Sequence, residues 1–413
     1  MSEQLIAATP RAPASRLSGA VILVMAVAAG GTAANVWYNQ PMLGAMASSL
    51  GVSEHAISAV PTATQIGFAL GILLLVPLGD RFERRRLILW QLAASTVALA
   101  AQAMASNLGA LIATSVFVGM GGSIAQQVIP FAAELAEPER RGRVVGTVMS
   151  GLLSGVLLAR VLSGTVAQYA DWRVMCWLAA AISVVLAAVL GVMLPRSVPS
   201  TRSSYLTLAA SLVTLTRRYG ALRRATLTQA CVFATISAFW SVLALLLQGP
   251  PFGLGAATAG LFGVIGVAGI LAAPLAGRTA DRSGPRRVIT RAIALVAASF
   301  VLFAAWPTLP GLVIGVVLVD LGAQAAMVAN QSIIYGLAPD ARGRVNTVFM
   351  TGMFLGGAIG SAGAGTAWAI GGGGIEGWRM VCAFCFLLAL LAGVVHHVGR
   401  GAPRLTRDRA DAR

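Results

Sequence analysis

Long apolar runs separated by short polar stretches make up almost the whole chain. A run of about 20 such residues crosses a hydrocarbon core as a helix. Windows of this kind fall at 18–40, 57–79, 87–105, 108–133, 144–168, 173–195, 222–248, 257–277, 288–306, 309–336, 345–370 and 379–398, twelve in all. The pattern predicts an all-α polytopic membrane protein. The first window follows a polar tail holding Arg11 and Arg16, is too long for the apolar core of a signal peptide, and precedes eleven more, so it reads as an uncleaved helix. The longest polar connection, 196–221, divides the spans six and six. It sets the expected organisation: tail 1–17, six-helix bundle 18–195, linker 196–221, six-helix bundle 222–398 and tail 399–413. Within the linker, Tyr205, Leu208, Leu212 and Leu215 recur at helical spacing opposite Thr207, Ser211 and Thr214, which predicts an amphipathic helix on the membrane surface.

Composition agrees with the pattern. With 57% of residues hydrophobic and 11% charged, the chain lies far from soluble averages of about 45–50% and about 25%. The net charge of +16 would suit nucleic acid if it were a continuous surface, but it sits in clusters between apolar runs. All 30 basic residues are arginines, and all but Arg160, Arg173 and Arg379 fall on one side of the twelve-span arrangement. The positive-inside rule makes that side cytoplasmic, with both termini on it, in a multi-pass membrane protein. The missing lysine excludes a Walker A ATPase and Schiff-base chemistry. The four cysteines lie within spans, where Cys382 and Cys385 read as packing residues. His55, His396 and His397 have no acidic cluster or HExxH pattern with which to bind a metal, so no metal, cofactor or enzymatic site is expected.

The chain repeats itself at a fixed interval. Asp80-Arg81 returns as Asp281-Arg282, and Arg141-Gly142-Arg143 as Arg342-Gly343-Arg344, each 201 positions later. Met149, Gly151 and Gly155 recur at that interval as Met350, Gly352 and Gly356, and Trp172-Arg173 returns as Trp378-Arg379. A parallel duplication of six spans is the design of transporters whose halves rock about a site near the bilayer midplane.

Two motifs carry a family resemblance. Gly277-x-x-x-Asp281-Arg282-x-Gly284-x-Arg286-Arg287 resembles the loop signature of the major facilitator superfamily. Its first copy keeps Asp80, Arg81 and Arg84 but has Val76 and Glu83 at the glycine positions, so the first loop is expected to take a different shape. In span five, Thr147, Gly151, Gly155, Ala159 and Ser163 form a strip of small residues that lets another helix come close. That strip is similar to the glycine and proline motif of drug:proton antiporters, with Arg160 in the proline position, and Tyr38-Asn39-Gln40-Pro41 resembles bacterial efflux facilitators. The resemblance implies the major facilitator fold, a bacterial inner membrane, a monomer, and partners limited to a small-molecule substrate, protons and lipid. It also implies gating loops built from Asp80, Arg81, Arg84, Asp281, Arg282, Gly284, Arg286, Arg342, Gly343 and Arg344. Asp80 is expected to face the helix start at Gly343-Arg344.

Arg160 and Asp320 are charges within spans, at similar depth in opposite halves. Each costs at least about 2.5–3.5 kcal/mol if isolated there, so each is expected to be paired or functional. They form a pair, direct or through substrate, in which protonation of Asp320 is coupled to movement of the halves, or else a static ion pair, or two residues separately satisfied. Facing and the resemblance add Asn35, Tyr38, Asn39, Gln126, Gln127, Gln229, Trp240, Gln324 and Gln331 to the expected substrate and proton pathway. The resulting expectation is proton-coupled efflux of small organic or drug-like molecules by alternating access. Proton symport importing a sugar, nucleoside or other metabolite is the alternative.

Overall fold

The computed structural model describes residues 18–196, 205–266, 277–280, 282–338 and 341–398, and the described residues contain helices and no strand. Span one is Gly19–Ala34 continued by Asn39–Leu50. Span two is Ala59–Leu75, span three Arg84–Ala103, and span four Leu108–Gly122 continued by Ala125–Leu135. Spans five and six are Arg141–Tyr169 and Trp172–Met193. The second half holds span seven (Gly220–Gln248), the start of span eight (Ala256–Ile265), span nine (Pro285–Ala305), span ten (Leu309–Tyr335), span eleven (Arg342–Ile370) and span twelve (Gly374–His397). Ten of these units are long and apolar enough to cross a membrane. Span three is diluted by Arg84, Arg85, Arg86, Gln91 and Gln102, and the described part of span eight is short.

Local chemistry sets the helix ends. Asp171 accepts from the Arg173 N–H at 2.7 Å and Asn107 from the Ala110 N–H at 2.9 Å, which satisfies donors that a helix start leaves open. Span one runs further than its apolar window and breaks at 35–38, where Pro41 lacks an N–H and would crowd the Trp37 carbonyl four residues back. Span four breaks after Gly121-Gly122, a glycine pair with little helical preference.

The halves are built alike. Gly155 of span five lies against the backbone of Gly30 in span one, and Gly356 of span eleven against that of Ala230 in span seven, so a Cβ at either glycine would strike main chain. These close crossings are the small-residue strips at work. The two loop signatures differ as expected: Gly284 has φ 84°, in the region that favours glycine, whereas Glu83 has φ −58°. The linker helix, Tyr205–Arg218, buries Leu212 against the arginine-rich end of the bundle. It is therefore a packed element as well as an amphipathic one.

Candidate functional site

Arg160 projects from span five into the seam between the halves and is 6% exposed. Its guanidinium carbon lies 4.0 Å from the centre of the Trp240 ring of span seven and 4.9 Å from that of Trp37, at the break in span one. A cation over two indole faces is stabilised by their quadrupoles, by about 0.5–2 kcal/mol per ring depending on desolvation. Its Nε donates to Gln40 Oε1 at 3.1 Å. The same contact exists in the other half: Ser361 and Ser241, each 201 positions later, hydrogen-bond through their hydroxyls at 2.8 Å. The duplication thus supplies a polar link between the first and fifth spans of each half, and the first half replaces serine by a cation.

Span eight brings the second charge close. The backbone of Arg160 packs on Gly260 and its side chain on Gly263, while Asp320 Oδ2 of span ten lies over Gly266. Gly263 and Gly266 are three residues apart, a rise of about 4.5 Å along a helix. The two charged side chains thus rest on the same stretch of span eight. Among the described residues, however, no carboxylate comes within the 4.0 Å ion-pair distance of Arg160, so the static pair is not formed. Asp320 is partly buried, and its counterpart 201 positions earlier is Gly119. Both charges are departures from the duplicated scaffold.

The other expected pathway residues are dispersed. Asn35, Tyr38 and Asn39 turn into the first half, where they line a small void with Gln102 and Cys176, and Asn39 Nδ2 donates to Thr64 Oγ1 at 2.8 Å. Gln126 is partly buried beside the break in span four, and Gln127 Nε2 donates to Gln91 Oε1 at 3.0 Å. Gln229 Oε1 accepts from Asn330 Nδ2 at 3.2 Å. Gln324 and Gln331 lie partly buried on span ten. Sequence reasoning missed Trp37 and Gln40, which adjoin the marked Tyr38 and Asn39. The available signal was that Gln40 and Arg160 have a matched serine pair one repeat later.

At the arginine-rich end, Arg84 donates to the Gly79 carbonyl at 3.1 Å, pairs with Asp80 at 3.1 Å and lies 3.4 Å from Glu134. Asp80 and Arg84 share a cavity of about 180 Å³ with Gln127, Gly343 and Arg344 and with Leu208 and Leu212 of the linker. Arg81 lies over the Phe82 ring at 5.6 Å, Arg282, Arg286 and Arg342 are exposed, and His396 Nε2 donates to the Arg286 carbonyl at 3.2 Å. Asp281 lies outside the described residues. At the opposite end the halves are tied together: Trp368 Nε1 donates to Glu54 Oε2 at 2.7 Å, the Ala257 N–H to Gln168 Oε1 at 2.9 Å, and Gln248 Nε2 to the Pro41 carbonyl at 3.4 Å.

A duplicated bundle with a charged, aromatic seam between its halves is the layout of a carrier, and comparison with known proteins agrees. Residues 25–246 and 225–411 match the model of the Major Facilitator Superfamily, and the chain belongs to that family. It is 37% identical to the uncharacterized transporter YgaY of Escherichia coli O157:H7, over 92% of this chain and 95% of that one. It is 34% identical to a probable transporter of Streptomyces coelicolor, over 91% of this chain and 85% of the other. Among solved structures, the inward-facing, occupied form of a bacterial homolog of the human lysosomal transporter Spinster superposes with a TM-score of 0.77 at 13% identity, covering 94% of this chain and 97% of that one. The protein is a multi-pass membrane transporter with the two-bundle major facilitator fold, and not an enzyme.

Proposed function

We propose that the protein exports small organic molecules from the cytoplasm in exchange for protons, its arginine-rich end and both termini facing the cytoplasm. The observation that carries this reading is the arrangement of Arg160 and Asp320. One buried cation and one partly buried anion come from opposite halves, rest on the same stretch of span eight, and stop short of ion-pair contact. A charge pair divided between two moving bodies changes separation when they rock, so the affinity of Asp320 for a proton changes with the state of the carrier. The three inter-half hydrogen bonds opposite the arginine-rich end support a state closed to the outside. The small-residue strip of span five, similar to that of drug:proton antiporters, supports the outward direction.

The test is growth under a panel of toxic compounds in a host stripped of its own exporters. The wild-type protein is expected to protect against at least one compound, with protection lost in Asp320→Asn and Arg160→Ala at equal membrane abundance. Accumulation of a nutrient in place of protection would favour proton symport inward.

A further inference from the structure

Arg160 leaves an unusual set of open valences. Its Nε is used by Gln40 and its two faces by Trp37 and Trp240, but Nη1 and Nη2 make no hydrogen bond to the described residues. Beside it, Gln40 Nε2 is buried without a partner, and so is Ser237 Oγ, one turn before Trp240 on span seven. Gln40 Nε2 and Ser237 Oγ are buried donors left without acceptors, which is destabilising unless a ligand supplies them. On the other side of the Gly263–Gly266 step stands Asp320, whose Oδ2 rests on Gly266. The seam therefore offers donors to an anion at one point and a carboxylate to a cation at another. The two glycines on which the Arg160 stem and Asp320 Oδ2 rest are about 4.5 Å apart in helical rise, and Trp240 lies over the guanidinium.

Resting on the export reading above, we propose that the transported substrate is a zwitterion of the α-amino-acid type with an aromatic or large apolar side chain. Its carboxylate is held by Arg160 Nη and Gln40 Nε2, its ammonium by Asp320, and its side chain lies against Trp240. A lone organic anion would leave Asp320 facing like charge, and a lone cation would leave Arg160 with its donors open; a neutral molecule carrying both charges completes both ends. The ammonium and the coupling proton also claim the same carboxylate. Occupancy by one excludes the other, which is what exchange requires and cotransport forbids.

The experiment uses the purified full-length protein and radiolabelled L-phenylalanine, competed by unlabelled L-phenylalanine, by its methyl ester, which keeps the cation, and by N-acetyl-L-phenylalanine, which keeps the anion. Saturable binding is expected, with unlabelled L-phenylalanine competing at least tenfold better than either derivative. Arg160→Gln should remove its advantage over the ester and Asp320→Asn its advantage over the N-acetyl form, while Arg160→Lys retains part of the former. Monodisperse elution of each variant on gel filtration guards against misfolding. Absence of saturable binding, or a derivative competing as well as the amino acid, overturns the zwitterion. Protection of cells from other toxic compounds would then still stand as evidence for export, so the two readings fail separately.

Discussion

At the scale of single residues, this transporter is defined by two intramembrane charges that depart from its duplication. Position 160 has a cation where its counterpart is Ser361, and position 320 an anion where its counterpart is Gly119. Since Trp240 sits nearer the guanidinium than Trp37, at 4.0 Å against 4.9 Å, Trp240→Ala is expected to cost more. A loss of about 1–2 kcal/mol of cation–π stabilisation would lower substrate turnover in vesicles roughly 5–30-fold, with Trp37→Ala several-fold milder. Equal effects would mean that the indoles act as packing alone. The sequence made the charges themselves legible, because an ionised group within an apolar span stands out. It did not disclose their partners. Span one breaks at 35–38, and that break carries Trp37 and Gln40 towards span five while Asn35, Tyr38 and Asn39 turn the other way. A helical wheel drawn through an unbroken span assigns those faces wrongly.

Helices show the complementary lesson. Their existence and order follow from hydropathy and their crossings from the small-residue strips, since a strip spaced by four marks a ridge along which backbones can meet. Gly155→Leu should therefore be far costlier than Gly146→Leu, although both lie on span five. A Cβ at Gly155 would meet the Gly30 backbone, whereas Gly146 has open space. Overpacking of this kind costs about 1–3 kcal/mol, seen as a lowered unfolding midpoint of the detergent-purified protein against an unchanged one for Gly146→Leu. The loops make the same distinction. Gly284→Val forces a branched side chain onto φ 84° and should destabilise by at least about 1–2 kcal/mol, whereas Glu83→Gly changes a residue already at φ −58°. What the sequence left out at this scale is the docking of the linker helix: Leu208 and Leu212 are simple amphipathic positions until the fold sets them beside Asp80, Arg84 and Arg344.

For the molecule as a whole, the two bundles meet most specifically at the end away from the arginines, where Glu54 accepts from Trp368. Glu54→Ala should shift the population towards the form open at that end. Spin labels placed on either side of the seam there would report a longer distance distribution than in the parent protein, and an unchanged distribution would deny the contact a gating role. The remaining question is whether rocking of the halves moves a proton as well as a substrate. Two charges, one on each half and short of contact, are positioned to couple the movements, and Asp320 is the group that would carry the proton. The most direct test is substrate-driven proton flux in vesicles containing the wild-type protein or Asp320→Asn. Coupling through Asp320 predicts that flux collapses in the variant while substrate exchange between the two sides persists at saturating substrate. Undiminished proton flux in Asp320→Asn would contradict it.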